Sequence, residues 1–134
     1  MRIFKCLLLF VIAISIVVSS CKKDGSTKSK KDILTSHQWK YFSYKENGVL
    51  IPLENCEKDD FLRFEVSGTY TYNPGIDKCS TSDVIENGTW SISSDAKTLF
   101  VSRGSLEILE LTDSKFVINQ VDGTDKLEST FVAF

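Results

Sequence analysis

From Trp39 to Phe134 the chain is a succession of short runs in which apolar and polar residues alternate, and turn-forming residues stand between them. Alternation with a period of two puts the apolar side chains of a strand on one face. The runs are WKYFSY (39–44), FLRFEV (61–66), TYTYN (69–73), VIENGTWSIS (84–93), TLFVS (98–102), LEILELT (106–112), KFVINQV (115–121) and LESTFVAF (127–134). Leu62, Phe64 and Val66 share one face of the second run, and Gly88, Trp90 and Ile92 share one face of the fourth. Glu46-Asn47-Gly48, Ser67-Gly68, Arg103-Gly104 and Asp122-Gly123 interrupt them, at about the 8- to 12-residue spacing of an all-β sandwich or barrel. Most links are hairpin-length, which favours antiparallel neighbours; the exceptions are Gly48–Lys58 and Pro74–Asp83. Eight strands in a meander close into a barrel and so remove both sheet edges. The expected fold is therefore all-β, an eight-stranded antiparallel meander barrel, with a short helix opening it at Lys31–Ser36.

The N-terminal segment is of another kind. Arg2 and Lys5 precede the apolar run Cys6–Val18, the pattern of a secretory signal and too short for a membrane span of about 20 residues. It ends Val18-Ser19-Ser20-Cys21, which resembles the bacterial lipobox: an aliphatic residue, two small residues and a cysteine. The resemblance implies cleavage before Cys21 and lipid attachment at its thiol, which is the nucleophile of the transfer. An uncleaved anchor and an unlipidated Cys21 are the other readings. The division is then residues 1–20 as signal peptide, 21–32 as tether, and 33–134 as the barrel domain. The tether is polar and lysine-rich with no large apolar residue to pack. Lys22 occupies the position where aspartate is a retention signal for the inner membrane, so the expected location is the cell envelope, lipid-anchored at the outer membrane.

Removing 20 residues from 134 leaves 114, one small domain with its tether. The signal takes two of the 16 basic residues and none of the 18 acids, so the remaining side chains sum to −4. Basic residues crowd the tether, and the acidic remainder argues against nucleic acid as a partner. Of the four cysteines, Cys6 leaves with the signal and Cys21 is reserved for lipid. Cys56 and Cys79 remain, one in each long link, and in an oxidising compartment they read as a disulfide stapling two loops at one rim.

Leu34 and Trp39, Cys56 before EKDDFLRF, SGTYTY, Cys79 and Gly88-Thr89-Trp90 follow one another in the order seen in the lipocalin-like domain of small Bacteroidetes lipoproteins, which the chain resembles from about Lys31 to Phe134. The resemblance implies a small calycin-type barrel behind a lipid anchor and brings no catalytic signature. The chain departs from lipocalins at His37-Gln38-Trp39, which lacks the glycine of their opening Gly-x-Trp, and it is shorter than they are; both argue against a large cavity.

Catalytic residues, metal ligands and cofactors are not expected. His37 is the single histidine, before the first strand, and no serine lies in Gly-x-Ser-x-Gly. Zinc needs more ligands than the chain offers. Glu57, Asp59 and Asp60 suggest calcium or a glycosidase pair, but a solvated rim is the plainer reading. Asn87-Gly88-Thr89 fits a glycosylation sequon by chance, with Gly88 making room beside Trp90. Aromatic residues are what remains. Tyr41, Phe64, Tyr70, Tyr72 and Trp90 suit either plain core packing or the lining of a pocket for a small apolar or amphipathic ligand. The expected function is that of a lipid-anchored binding module. The alternative is an envelope protein- or glycan-interaction module with a filled interior, as in small disulfide-bonded barrel lipoproteins that inhibit lysozyme.

Overall fold

The computed structural model describes residues 27–134. The expected signal peptide, the lipid-attachment Cys21 and the tether up to residue 26 lie outside the described residues. Helix α1, Lys30–Ser36, begins at a capping box: Ser29 Oγ accepts from the Asp32 amide at 3.1 Å, and the Asp32 carboxylate accepts from the Ser29 amide at 3.2 Å. Such a cap contributes about 1 kcal/mol, too little to hold seven residues helical without tertiary packing. Leu34 and Ile33 supply that packing by burying themselves under the barrel. Helix α1 therefore begins within the stretch 21–32 read as tether.

Nine strands follow: β1 Gln38–Glu46, β2 Val49–Ile51, β3 Phe61–Phe64, β4 Thr69–Asn73, β5 Glu86–Ile92, β6 Thr98–Val101, β7 Gly104–Leu111, β8 Lys115–Asp122 and β9 Asp125–Ala133. All pairings are antiparallel. From β3 to β9 each strand pairs with the next, and β1 pairs with both β3 and β9. That closes a ring of eight strands, as the alternating runs predict. The ninth, β2, lies within the link expected to be irregular. It folds back on the far half of β1, with Tyr44 opposite Ile51 and Glu46 opposite Val49. Asn47 and Gly48 make its turn at φ +52° and +82°, the positive values a two-residue hairpin turn of the right twist requires.

Two bulges bend the wall. The register slips between Tyr41 and Ser43 in β1 and between Ile108 and Glu110 in β7. The extra residues, Phe42 and Leu109, turn outward and stand exposed. Strand β3 stops at Phe64, so Val66 leaves the inward face assigned to it and is exposed.

The core gathers at one end. Trp39, Phe64, Phe116, Leu34 and Leu99 are fully buried. Phe116 lies 5.5 Å from Trp39 and 6.1 Å from Phe64, ring centre to ring centre, and Phe64 lies 5.5 Å from Trp90. Trp39 Nε1 donates to the Leu34 carbonyl at 2.9 Å, which ties α1 across this end. The strand register places the starts of β3, β5 and β7 and the ends of β4, β6 and β8 at the opposite rim. There the Cys56–Cys79 disulfide joins the loop after β2 to the loop after β4, closing 23 residues.

Candidate functional site

Inward positions of five strands enclose a cavity of about 460 Å³, between the aromatic plug and the free rim. Its walls are Leu62 and Phe64 of β3, Tyr70 of β4, Leu99 and Val101 of β6, Leu106 of β7, and Phe116 and Ile118 of β8. The periodicity explains this directly: residues two apart on each strand face the interior. At the mouth the lining changes to Arg103, Ser105 and Gln120. Arg103 is exposed and donates to Glu86 at 2.9 Å, so the rim offers a held cation above an apolar bowl. The arrangement suits a molecule with an apolar body and a polar end.

The five aromatic candidates are not brought together. Phe64 and Tyr70 line the cavity. Trp90 is buried in the plug, where its Nε1 donates to the Glu65 carbonyl at 3.0 Å and Lys31 sits 5.9 Å over the ring. Tyr41 stacks on Phe131 at 5.2 Å and borders a separate outer groove with Phe42, Leu50 and Pro52. Burial holds its hydroxyl above its usual range, an effect that a bond from Ser129 opposes. Tyr72 lines a third recess, beside the disulfide. The aromatic pattern of the sequence does not point to Leu106, Ile118, Arg103 or Gln120, which also line the cavity. Their signal was the inward parity of the strands that carry them, together with the Arg103-Gly104 turn.

The acidic stretch corrects the expectation of a solvated rim. Asp60 is buried, and the Tyr72 hydroxyl donates to its Oδ2. Burial raises the Asp60 carboxyl above its ordinary range; the Tyr72 bond opposes this, and the charges of Asp59, Glu57 and Asp83 add to it. Burial and the bond to Asp60 push the Tyr72 hydroxyl upward as well. Asp59 instead holds the loop after β4: its Oδ2 accepts from the amides of Ile76 at 2.6 Å and Asp77 at 3.2 Å, which keep its carboxyl low. Gly75 permits that contact, since a Cβ there would stand 2.2 Å from Asp59 Cγ.

His37 caps the end of α1, edge-on to Trp39 at 5.5 Å, with Nε2 3.6 Å from Asp113 Oδ1 and so beyond hydrogen-bond reach. Gly88 makes room for Tyr70 rather than for Trp90. The two are register partners, and a Cβ at Gly88 would lie 2.5 Å from the tyrosine ring. Among the described residues, Glu54, Cys56 and Cys79 have ligand atoms at metal-like spacing, but both sulfurs are consumed in the disulfide. No helix among them is long and apolar enough to cross a membrane.

A family model described as a lipocalin-like domain matches residues 36–118, more than half of the chain. The match runs from the end of α1 into β8 and takes in the lining of the cavity except Gln120 and Val121. No curated protein matches.

Proposed function

The chain belongs to the lipocalin-like domain family, and on that premise we propose that its barrel binds a small amphipathic molecule, apolar end inward and polar end at Arg103 and Gln120. The observation that carries this reading is the cavity itself. About 460 Å³ lies within the range of roughly 300–1,000 Å³ typical of small-molecule sites. Plain core packing fills only the end plugged by Trp39 and Phe116. The function is binding rather than catalysis.

The lipobox-like Val18–Cys21 and the basic, apolar segment before it support a protein held in the cell envelope by lipid on Cys21, at the outer membrane. Intact mass of the protein from its own membrane tests this: diacylglyceryl and acyl additions at Cys21 are expected, and a chain beginning elsewhere without lipid contradicts it.

Displacement of an anionic naphthalene dye tests the cavity. The dye is expected to brighten on binding and to be competed by alkyl carboxylates or alkyl sulfates of suitable length. Leu106→Trp, which fills the bowl, is expected to abolish the signal; undiminished dye binding in that variant removes the reading.

The protein- or glycan-interaction reading has one observation in its favour. The outer groove along β1 and β2, about 560 Å³, exposes Phe42 and Leu50 beside Pro52 and Val132. Phe42→Ser separates the two readings, because it leaves the barrel interior untouched.

A further inference from the structure

The two ends of the barrel differ in what they hold. Helix α1 lies across the closed end, and three lysines fix its start there. Lys28 donates to Asp113 in the β7–β8 turn at 2.7 Å, Lys30 donates to the Leu111 carbonyl, and Lys31 stands 5.9 Å over the Trp90 ring. The turns after β3, β5 and β7 share that end. The cavity opens at the other end, beside Arg103, Gln120 and Val121. The chain therefore enters the barrel at the end remote from the mouth.

Chain length then limits where Cys21 can be. Eight residues of advance separate it from Ser29. A chain spans at most about 3.3–3.6 Å per residue, so Cys21 lies within about 29 Å of the helix start in any conformation. Strand β9 has nine residues and runs from the mouth to the closed end. At about 3.3 Å per residue and a tilt near 40° it rises about 23 Å, before the mouth loops are added. A lipid on Cys21 reaches the level of the mouth only with the chain drawn out close to its limit along the outer wall. On the closed-end side it needs no such extension.

Charge divides the molecule the same way. Residues 27–37 and the closed-end turns 65–68, 93–97 and 112–115 hold five lysines against four acids. The mouth segments 46–60, 73–86, 102–104 and 121–126 hold ten acids against four basic residues. An anionic bilayer attracts basic segments and repels acidic ones within about a Debye length, roughly 8 Å. Ile76 and Val84 stand exposed on the loop after β4, but Asp77 and Asp83 adjoin them. Pressing that loop into a bilayer would desolvate charge together with the apolar side chains.

We propose that the closed end, with α1 and its lysines, is the surface that meets an anionic membrane, and that the mouth opens away from it. The bowl then takes up and gives off its ligand on the side remote from the bilayer that holds the chain. The proposal rests on the reading of Cys21 as the lipid-bearing residue.

The test places a bimane label at Ser94→Cys, in the closed-end turn after β5, or at Thr124→Cys, in the mouth turn after β8. Both positions are exposed. The lipidated protein is reconstituted into vesicles of phosphatidylcholine and phosphatidylglycerol with nitroxide on the headgroups. Strong quenching at position 94 and little at position 124 is expected. Lys31→Glu with Lys97→Glu, or raised salt on the unsubstituted pair, is expected to shrink that difference. Equal quenching at the two positions, or stronger quenching at 124, overturns the proposal. So does a difference that neither charge reversal nor salt changes. Intact mass of each preparation reads the lipid separately: a chain without it fails the anchor reading and the proposal with it, whereas a lipidated chain lying mouth-down overturns the proposal alone.

Discussion

Tyr72→Phe removes the one hydrogen bond that the Asp60 side chain makes among the described residues. The ring stays and the hydroxyl goes, so packing is nearly unchanged and the loss is polar. Hydrogen bonds to charged groups contribute about 1.5–3 kcal/mol, and a buried acceptor left bare costs about as much. Asp60 is buried and already has one oxygen unpaired, so a loss of about 2 kcal/mol is expected at neutral pH. In a domain of this size that lowers Tm by roughly 8–16 °C, at about 4–8 °C per kcal/mol.

The sign of the pH dependence follows from the direction of the Asp60 shift. Its folded carboxyl titrates above the ordinary 3.8. A group whose pKa is raised on folding adds stability below its unfolded pKa and loses that contribution as pH rises through its folded value. Tyr72→Phe takes away a bond that favours the ionised form, so it raises the folded pKa further. The cost of the substitution should therefore be largest above the folded pKa and shrink as Asp60 protonates. Urea unfolding of both proteins from pH 4 to pH 8 reads this directly. Differences between the two cancel the carboxylates held low elsewhere, such as Asp59 and Asp113. A cost that is the same across that range, or absent at pH 8, refutes the reasoning.

Three further outcomes are expected. Reduction of Cys56–Cys79 releases a closure of 23 residues and should cost about 3 kcal/mol in chemical denaturation, while the near-UV signal of Trp39 in the opposite plug persists. Gly88→Ala drives a methyl into the Tyr70 ring and against Ser102 Oγ and should destabilise by about 1–3 kcal/mol, an effect that Tyr70→Leu in the same chain should relieve in part; equal costs with and without Tyr70 contradict the assignment. Trp39→Ala empties the plug and should cost about 3–5 kcal/mol in urea unfolding, more than any single substitution around the rim.

Where apolar and polar residues alternate, the strands could be read from the residues almost to their ends, because one face of each is buried and the other is wet. The same physics hid β2. Val49-Leu50-Ile51 is a short apolar run without alternation, and Glu46-Asn47-Gly48 marks a break in the pattern while its Asn47-Gly48 is equally the strongest hairpin signal. Bulges cannot be seen in a pattern of period two. Tyr41 stacks on Phe131, but the chain after it is shifted by one residue. Asp60 misled because an acidic residue next to another reads as solvated, whereas its burial depends on Tyr72, twelve residues away and on the neighbouring strand. The cavity was legible only as parity. Which inward residues pack and which stand back from one another depends on side-chain volumes around a closed ring.

The central claim, a barrel that holds a small amphipathic ligand, is tested most directly by extracting the protein as its own cell makes it. The chain would be purified from its native envelope without added lipid, extracted with organic solvent and examined by mass spectrometry. The account predicts a lipophilic compound near one equivalent per chain, distinct from the lipid on Cys21 and missing from the Leu106→Trp variant. An extract that is empty, or the same in both proteins, contradicts it.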